Sequence, residues 1–126
     1  MATIDLPERS RTHLLHWYSE EFLESARVTH SSLFGRLFGL FGPHAVTINK
    51  TIHLTPQAPS LDSDSGIALL GHELFHVLQQ EEAGWWRFLL RYLLHWRPAQ
   101  IKQGSKHPLE APAYQRQQEI RDSLRG

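Results

Sequence analysis

Hydrophobic residues recur every three or four positions along several stretches of the chain, a spacing typical of amphipathic helices. Proline, serine and glycine stand between these stretches, at positions where helices begin and end. Together the spacing and the end signals predict helices over residues 7–25, 33–41, 65–82, 85–96 and 110–124.

Two runs of β-branched residues, Ala45–Ile48 and Thr51–Thr55, alternate in the manner of strands and are joined by Asn49-Lys50. A two-residue link that begins with Asn is typical of a β-hairpin. Arg27–Thr29 is a further short strand candidate. The pattern predicts an α+β fold, mostly helical with a small two- or three-stranded sheet, and a single domain over residues 1–126.

The composition of the chain argues against several classes of function. Thirteen basic residues balance thirteen acidic ones, so no charge excess favours nucleic acid as a partner. Cysteine is absent, so any metal must be held by imidazole and carboxylate groups. Residues 1–11 lack the apolar core of a secretory signal, and no apolar stretch is long enough for a transmembrane helix. We therefore expect a soluble, cytoplasmic protein.

His72, Glu73 and His76 form an H-E-x-x-H motif within the predicted helix 65–82. Positions i and i+4 lie only about 40° apart around a helix, so both imidazoles can reach one ion at about 2.0–2.1 Å. Glu73 lies about 100° away from His72, where it can act as the general base on a zinc-bound water. The alternative is that both histidines are structural residues that donate hydrogen bonds to main-chain carbonyls and bind no metal. The helix is apolar nearly all round, which favours the Zn²⁺ site because unpaired buried imidazoles are costly.

A catalytic zinc usually takes a third protein ligand. The downstream candidates are His95, His107, Glu110 and Glu119. We favour Glu110, which opens the last predicted helix, and His107 is its main rival. The alternative for Glu110 is a carboxylate stabilised by the helix dipole alone.

Two neighbours of Glu110 refine this hypothesis. Tyr114 is four residues further on and thus on the same helix face, where its hydroxyl could stabilise an oxyanion; the alternative is a plain packing residue. Pro112 restricts where a straight helix can begin, so either Glu110 lies in the first turn or the helix is kinked. Gly71 stands mid-helix beside the motif, which suggests that another backbone segment approaches closely there.

The motif with its flanks, Leu69–Gln80, resembles the H-E-L-x-H-V-x-Q-Q segment of the metallopeptidase domain associated with extracellular contractile injection systems, the eCIS core domain. Residues 45–54 are similar to the A-x-T-x-G-x-x-I-x-F stretch that precedes that segment, with Asn49 in place of the glycine. Residues 110–114 resemble the E-x-x-A segment of gluzincin-type zinc peptidases, although Pro112 replaces a residue that is usually polar or acidic.

This resemblance implies a minimal zincin in which a small sheet packs on the motif helix and its edge strand lines the cleft. It also implies that His72, His76 and Glu110 are the metal ligands and Glu73 the base. The segment Thr51–Thr55 is our candidate for an exposed strand that pairs with an extended peptide; the alternative is a covered strand.

The predicted helix 85–96 combines aromatic residues with Arg87 and Arg91. It can lie in a membrane interface, present a face to a partner, or simply cover the core with its arginines solvated, and we favour the last of these. Two functions follow: a zinc metallopeptidase acting on a peptide or protein substrate, or a catalytically silent module that uses helix 85–96 as a contact surface.

Overall fold

A computed structural model of the chain describes residues 2–30, 32, 35–37, 40, 44–94 and 109–125. The fold is α+β and mostly helical, as the sequence predicts. Its elements are β1 (Ala2–Ile4), α1 (Glu8–Leu14), α2 (Glu20–Ser25), β2 (Arg27–His30), β3 (Ala45–Ile48), β4 (Thr51–Leu54), α3 (Asp64–Ala83), α4 (Trp85–Leu94) and α5 (Glu110–Arg125).

The strands form one sheet in the order β1-β2-β4-β3, in which β2 and β4 are parallel and the other two pairs antiparallel. β1 is a strand that the sequence pattern did not predict, because three residues are too few to show alternation. Our candidate for peptide pairing, Thr51–Thr55, was wrong. β4 has a neighbour on each side, which occupies its main-chain hydrogen-bonding groups. The outer strand on that side of the sheet is β3.

The predicted hairpin is confirmed, with Ile48 opposite Thr51 at the turn. Asn49 and Lys50 both have positive φ, 45° and 70° respectively. Two consecutive residues in the left-handed region are characteristic of a type I′ turn, whose twist matches that of the flanking strands. Asn tolerates this conformation well and Lys does not.

The single helix that we predicted over residues 7–25 is two helices. The chain turns after Leu14, and the Ser19 side chain caps α2 by accepting a hydrogen bond from the Phe22 amide at 3.1 Å. The buried Tyr18 hydroxyl donates to the Gly71 carbonyl of α3 at 2.7 Å. Tertiary contact at Tyr18 and the cap at Ser19 therefore override a continuous apolar pattern.

α3 is the central helix of the core. Ser63 caps its first turn, with the Gly66 amide donating to the Ser63 hydroxyl at 3.0 Å, and Gly84 ends it with a φ of 84°. The predicted close approach at Gly71 is made by a side chain and not by backbone. A Cβ built on Gly71 would lie 2.1 Å from the Cδ1 atom of Ile120, so α5 crosses closely over α3 at this point.

The remaining predictions concern the flanking helices. α5 begins at Glu110 as predicted, with Pro112 in its first turn, where no intrahelical partner is lost. The predicted helix 85–96 is described as far as Leu94, and most of the predicted helix 33–41 lies outside the described residues. None of the described helices combines the length and the apolar character that crossing a bilayer requires.

Candidate metal centre

His72 and His76 lie one turn apart on the buried face of α3, each about 5–6% exposed. Their Nε2 atoms both point to Oε1 of Glu110, 3.2 Å away for His72 and in closer contact for His76. The three potential ligand atoms lie within 4.8 Å of one another. The structure thus brings together the three residues that the sequence analysis nominated as ligands.

Gln79 contacts this cluster through both atoms of its side-chain amide. Its Nε2 atom donates to the Leu109 carbonyl at 3.0 Å, which secures the chain just before α5. Its Oε1 atom accepts a hydrogen bond from Nδ1 of His76 at 2.9 Å. A proton on Nδ1 leaves Nε2 as the nitrogen of the neutral ring that could coordinate a metal ion. His72 differs, because its buried Nδ1 has no hydrogen-bond partner among the described residues.

The electrostatics of the cluster favour positive charge. Burial alone would lower the pKa of His76, but the hydrogen bond to Glu110 and the negative charges of Glu73 and Glu110 outweigh burial and raise it. Burial alone would raise the pKa of Glu110, but its contacts with His72 and His76 hold it well below its usual value. A proton and a metal cation would each be stabilised between these side chains.

The dimensions of the cluster suit a divalent ion. Two ligands of a tetrahedral zinc at about 2.0–2.1 Å are about 3.3 Å apart, and the His72 and Glu110 atoms are 3.2 Å apart. The His76–Glu110 contact is closer than this spacing and would have to lengthen to admit an ion between the same atoms. Two imidazoles and one carboxylate are also a ligand set that zinc accepts. His72, His76 and Glu110 could therefore hold a metal ion.

Glu73 lies beside the cluster and is only 6% exposed. Its Oε2 atom accepts a hydrogen bond from the Thr47 hydroxyl of β3 at 2.6 Å. Gln80, two turns after Glu73 on α3, donates from Nε2 to the Thr47 carbonyl at 3.1 Å. The base that the sequence predicts is thus held against the outer strand of the sheet.

Tyr114 packs against the ring of His72. Its ring centroid is 4.5 Å from that of His72 in an edge-to-face arrangement, and the side chain is 41% exposed. Burial, together with the charges of Glu110 and Glu73, raises the pKa of Tyr114, so its phenol stays protonated near neutral pH. An available proton fits the oxyanion role assigned to Tyr114, which stays a prediction.

The other predicted candidates have separate outcomes. Glu119 is exposed on α5 and takes no part in the cluster. His95 and His107 lie outside the described residues. The sequence analysis missed Thr47, Gln79 and Gln80 as contributors to the site. The available signals were the strand alternation, which turns Thr47 inward, and the helical spacing that places both glutamines near the motif.

The sequence of the chain matches the model of a known protein family. The family model described as the eCIS core domain matches residues 5–84, more than half of the chain. This range contains the sheet from β2 onward, the hairpin and all of α3, whereas Glu110 and α5 lie beyond it. No curated protein and no solved structure matches the chain.

Proposed function

The chain belongs to the eCIS core domain family, and from the geometry of its histidine–glutamate cluster we propose that it is a zinc-dependent hydrolase of peptide bonds. The observation that carries this proposal is the convergence of His72, His76 and Glu110 on one point, with Glu73 buried on the flank of the same helix. A structural histidine pair would not need a second, separately supported carboxylate beside it.

In the proposed hydrolysis, the metal ligands, Glu73 and Tyr114 each have a separate role. Zinc held by the three ligands would supply a Lewis acid that brings the pKa of water close to 7. Glu73 accepts a proton from the attacking water and later delivers it to the departing amine. The protonated Tyr114 donates a hydrogen bond to the oxygen of the carbonyl under attack. Peptides or proteins are the substrates, because their amide bonds require both activation of water and protonation of the leaving group.

Metal content and peptide hydrolysis test the proposal together. We expect one zinc per chain in the wild type, retention of zinc in Glu73→Gln with a loss of hydrolysis of at least about a hundredfold, and loss of zinc in Glu110→Ala. Glu119→Ala is the matched control for the ligand, since it removes an exposed carboxylate from the same helix. Glu82→Gln is the control for the base, as an exposed carboxylate on α3.

Two outcomes would contradict the proposal. Undiminished zinc in Glu110→Ala would remove Glu110 from the ligand set and direct attention to His107. Hydrolysis that survives Glu73→Gln while the protein is zinc-loaded would remove Glu73 as the base.

A second candidate function is a module that docks on an anionic membrane surface through α4. Phe88 anchors this helix to the core, while Trp86, Leu90 and Leu94 are 76%, 61% and 69% exposed in a stripe at four-residue spacing. Arg87 and Arg91 are exposed beside the stripe, and α4 contains no acidic residue. Exposed tryptophan and leucine bordered by arginine is the composition of interfacial helices.

Vesicle flotation tests this second candidate. We expect the wild type to float with vesicles that contain phosphatidylglycerol and not with pure phosphatidylcholine vesicles. Trp86→Ala and Arg87→Gln should each reduce flotation, while Glu73→Gln should leave it unchanged. Absence of flotation with the anionic vesicles would end this candidate without affecting the hydrolase proposal.

A further inference from the structure

The Thr47 hydroxyl is the hydrogen-bond donor that the structure supplies to the carboxylate of Glu73. Thr47 Oγ1 lies 2.6 Å from Glu73 Oε2, and the two side chains are 8% and 6% exposed. In the part of the chain that the structure describes, no other hydrogen bond reaches this carboxylate. Because a buried carboxylate without a partner is costly, the contact restricts where the Glu73 side chain can lie.

The position of Thr47 is itself fixed from two directions. The alternation of β3 turns Ala45 and Thr47 inward, and the antiparallel register places Thr47 opposite the fully buried Ile52. Gln80 binds the Thr47 carbonyl from α3 at 3.1 Å. Glu73 and Gln80 are seven residues apart, about two helical turns, so they lie on one face of the helix. Both side chains hydrogen-bond to Thr47.

We propose that Thr47 is the positioning residue of the general base. Its hydroxyl holds Oε2 of Glu73, which leaves Oε1 to accept the proton of the attacking water. Gln80 keeps Thr47 in register with α3. This inference rests on the proposed hydrolase function, and it assigns to β3 a role in aligning the base.

The first experiment measures the contact without relying on hydrolysis. Denaturant unfolding midpoints are compared for the wild type, Thr47→Val, Glu73→Ala and the double variant. Thr47→Val leaves the Glu73 carboxylate without its hydrogen-bond donor, Glu73→Ala leaves the Thr47 hydroxyl with only the longer contact to the main-chain carbonyl of residue 73 at 3.4 Å, and the double change removes both side-chain groups. We expect the double variant to shift the midpoint by clearly less than the sum of the single shifts. Additive shifts would overturn the inference.

The second experiment distinguishes positioning from a purely structural role. In zinc-loaded protein we expect Thr47→Val to lower kcat by about tenfold or more with little change in KM and no loss of zinc. Thr47→Ser, which keeps the hydroxyl, should recover kcat to within about threefold of the wild type. Thr51→Val is the matched control, since Thr51 lies in the same hairpin and makes no hydrogen bond to Glu73.

The outcomes separate this inference from the function on which it rests. If the wild type hydrolyses no peptide, the proposed function fails, while the unfolding comparison still decides whether Thr47 holds Glu73. If the wild type is active and Thr47→Val keeps its kcat, or Thr47→Ser fails to restore it, the hydrolase proposal stands and Thr47 is not the positioning residue.

Discussion

At the scale of single residues, Gln79 connects the two parts of the cluster that lie furthest apart in sequence. One amide group contacts the Nδ1 atom of His76 and the carbonyl of Leu109, the residue before Glu110. It therefore orients one proposed ligand and secures the backbone that carries another. Loss of a hydrogen-bond partner of this kind typically lowers metal affinity by about 10- to 100-fold.

Replacing Gln79 with Ala should weaken zinc binding by about 10- to 100-fold, because His76 loses the acceptor that fixes its ring and α5 loses an anchor. Competition with a chromophoric chelator measures this affinity. Gln118→Ala is the control, since Gln118 is an exposed glutamine of α5 whose side chain binds Asp122. Unchanged affinity in Gln79→Ala would mean that the ring of His76 is held by packing alone.

Protons should compete with metal at this site. The raised pKa of His76 means that its proton stabilises the metal-free fold below the usual histidine value, and that this contribution is lost as the pH rises through the raised value. The lowered pKa of Glu110 means that its contribution is present above its usual value of 4.5 and lost as the pH falls through the lowered one. A metal ion binds only to unprotonated imidazole, so the metal ion and the proton compete for His76.

We therefore expect the increase in Tm caused by Zn²⁺ to be small near about pH 5 and to grow steadily towards about pH 8. Thermal unfolding across this range, with and without zinc, provides the measurement. An increase that is independent of pH, or larger in acid, would contradict the assignment of His76 as a ligand.

Part of this site could be predicted from the sequence, and the physical reason is spacing. Residues one turn apart on a helix must lie side by side, so His72, Glu73 and His76 needed no tertiary information. Glu110 was nominated because it begins a helix, but its rival His107 could not be dismissed. The role of Thr47 depends on the distance between a strand and a helix, which no local pattern encodes.

At the scale of elements, the β3–β4 turn carries a residue that suits its conformation poorly. Lys50 has a φ of 70°, where a side chain with a Cβ costs about 1–2 kcal/mol. Its ion pair with Glu81 is 3.5 Å long and partly exposed, so the pair offsets little of this cost. The turn is therefore a place where stability can be gained.

Lys50→Gly should raise the free energy of unfolding by about 1 kcal/mol, because Asn-Gly is the preferred sequence of a type I′ turn. Chemical denaturation measures the change. Lys50→Ala is the matched control: it removes the same charge and keeps the Cβ, so it should give no gain. Equal gains in both variants would assign the effect to charge and not to the backbone.

The elements whose ends carry a local signal were the ones predicted well. Ser63 and Gly84 bound α3, and Asn49-Lys50 defines the hairpin, through contacts within a few residues. The break between α1 and α2 was missed although Ser19 offers a local cap, because the apolar spacing continues across it and Tyr18 bonds to a residue 53 positions away. Strand order was missed for the same reason, since the parallel pairing of β2 with β4 is set by the whole sheet.

At the scale of the whole molecule, a bound ion would join α3 to α5. His76 and Glu110 are separated by 34 positions along the chain, and the ion would bridge them within the core. An ion that binds the folded chain and not the unfolded chain stabilises the fold by mass action, by about 2.7 kcal/mol at a hundredfold excess over Kd.

For a chain of this length, that free energy corresponds to an increase in Tm of about 10 °C. Removal of metal with a chelator should reverse it, as followed by thermal unfolding of the zinc-loaded protein. Glu110→Ala should lose most of the increase and Glu119→Ala should keep it. A wild-type Tm that does not respond to the chelator would argue against a tightly held ion.

The contact between Gly71 and Ile120 links the segment matched by the family model to a helix beyond it. A β-carbon at position 71 would meet the Ile120 methyl group at 2.1 Å, and Ile120 is fully buried. The side chains at the two positions thus occupy one shared volume, so a larger side chain at position 71 requires a smaller one at position 120. Among relatives that retain both helices, we expect these positions to covary, so that an alanine or serine at 71 accompanies a valine or alanine at 120. Such correlated substitution would mark α5 as an inherited part of the domain and extend its evolutionary boundary to the C-terminal helix.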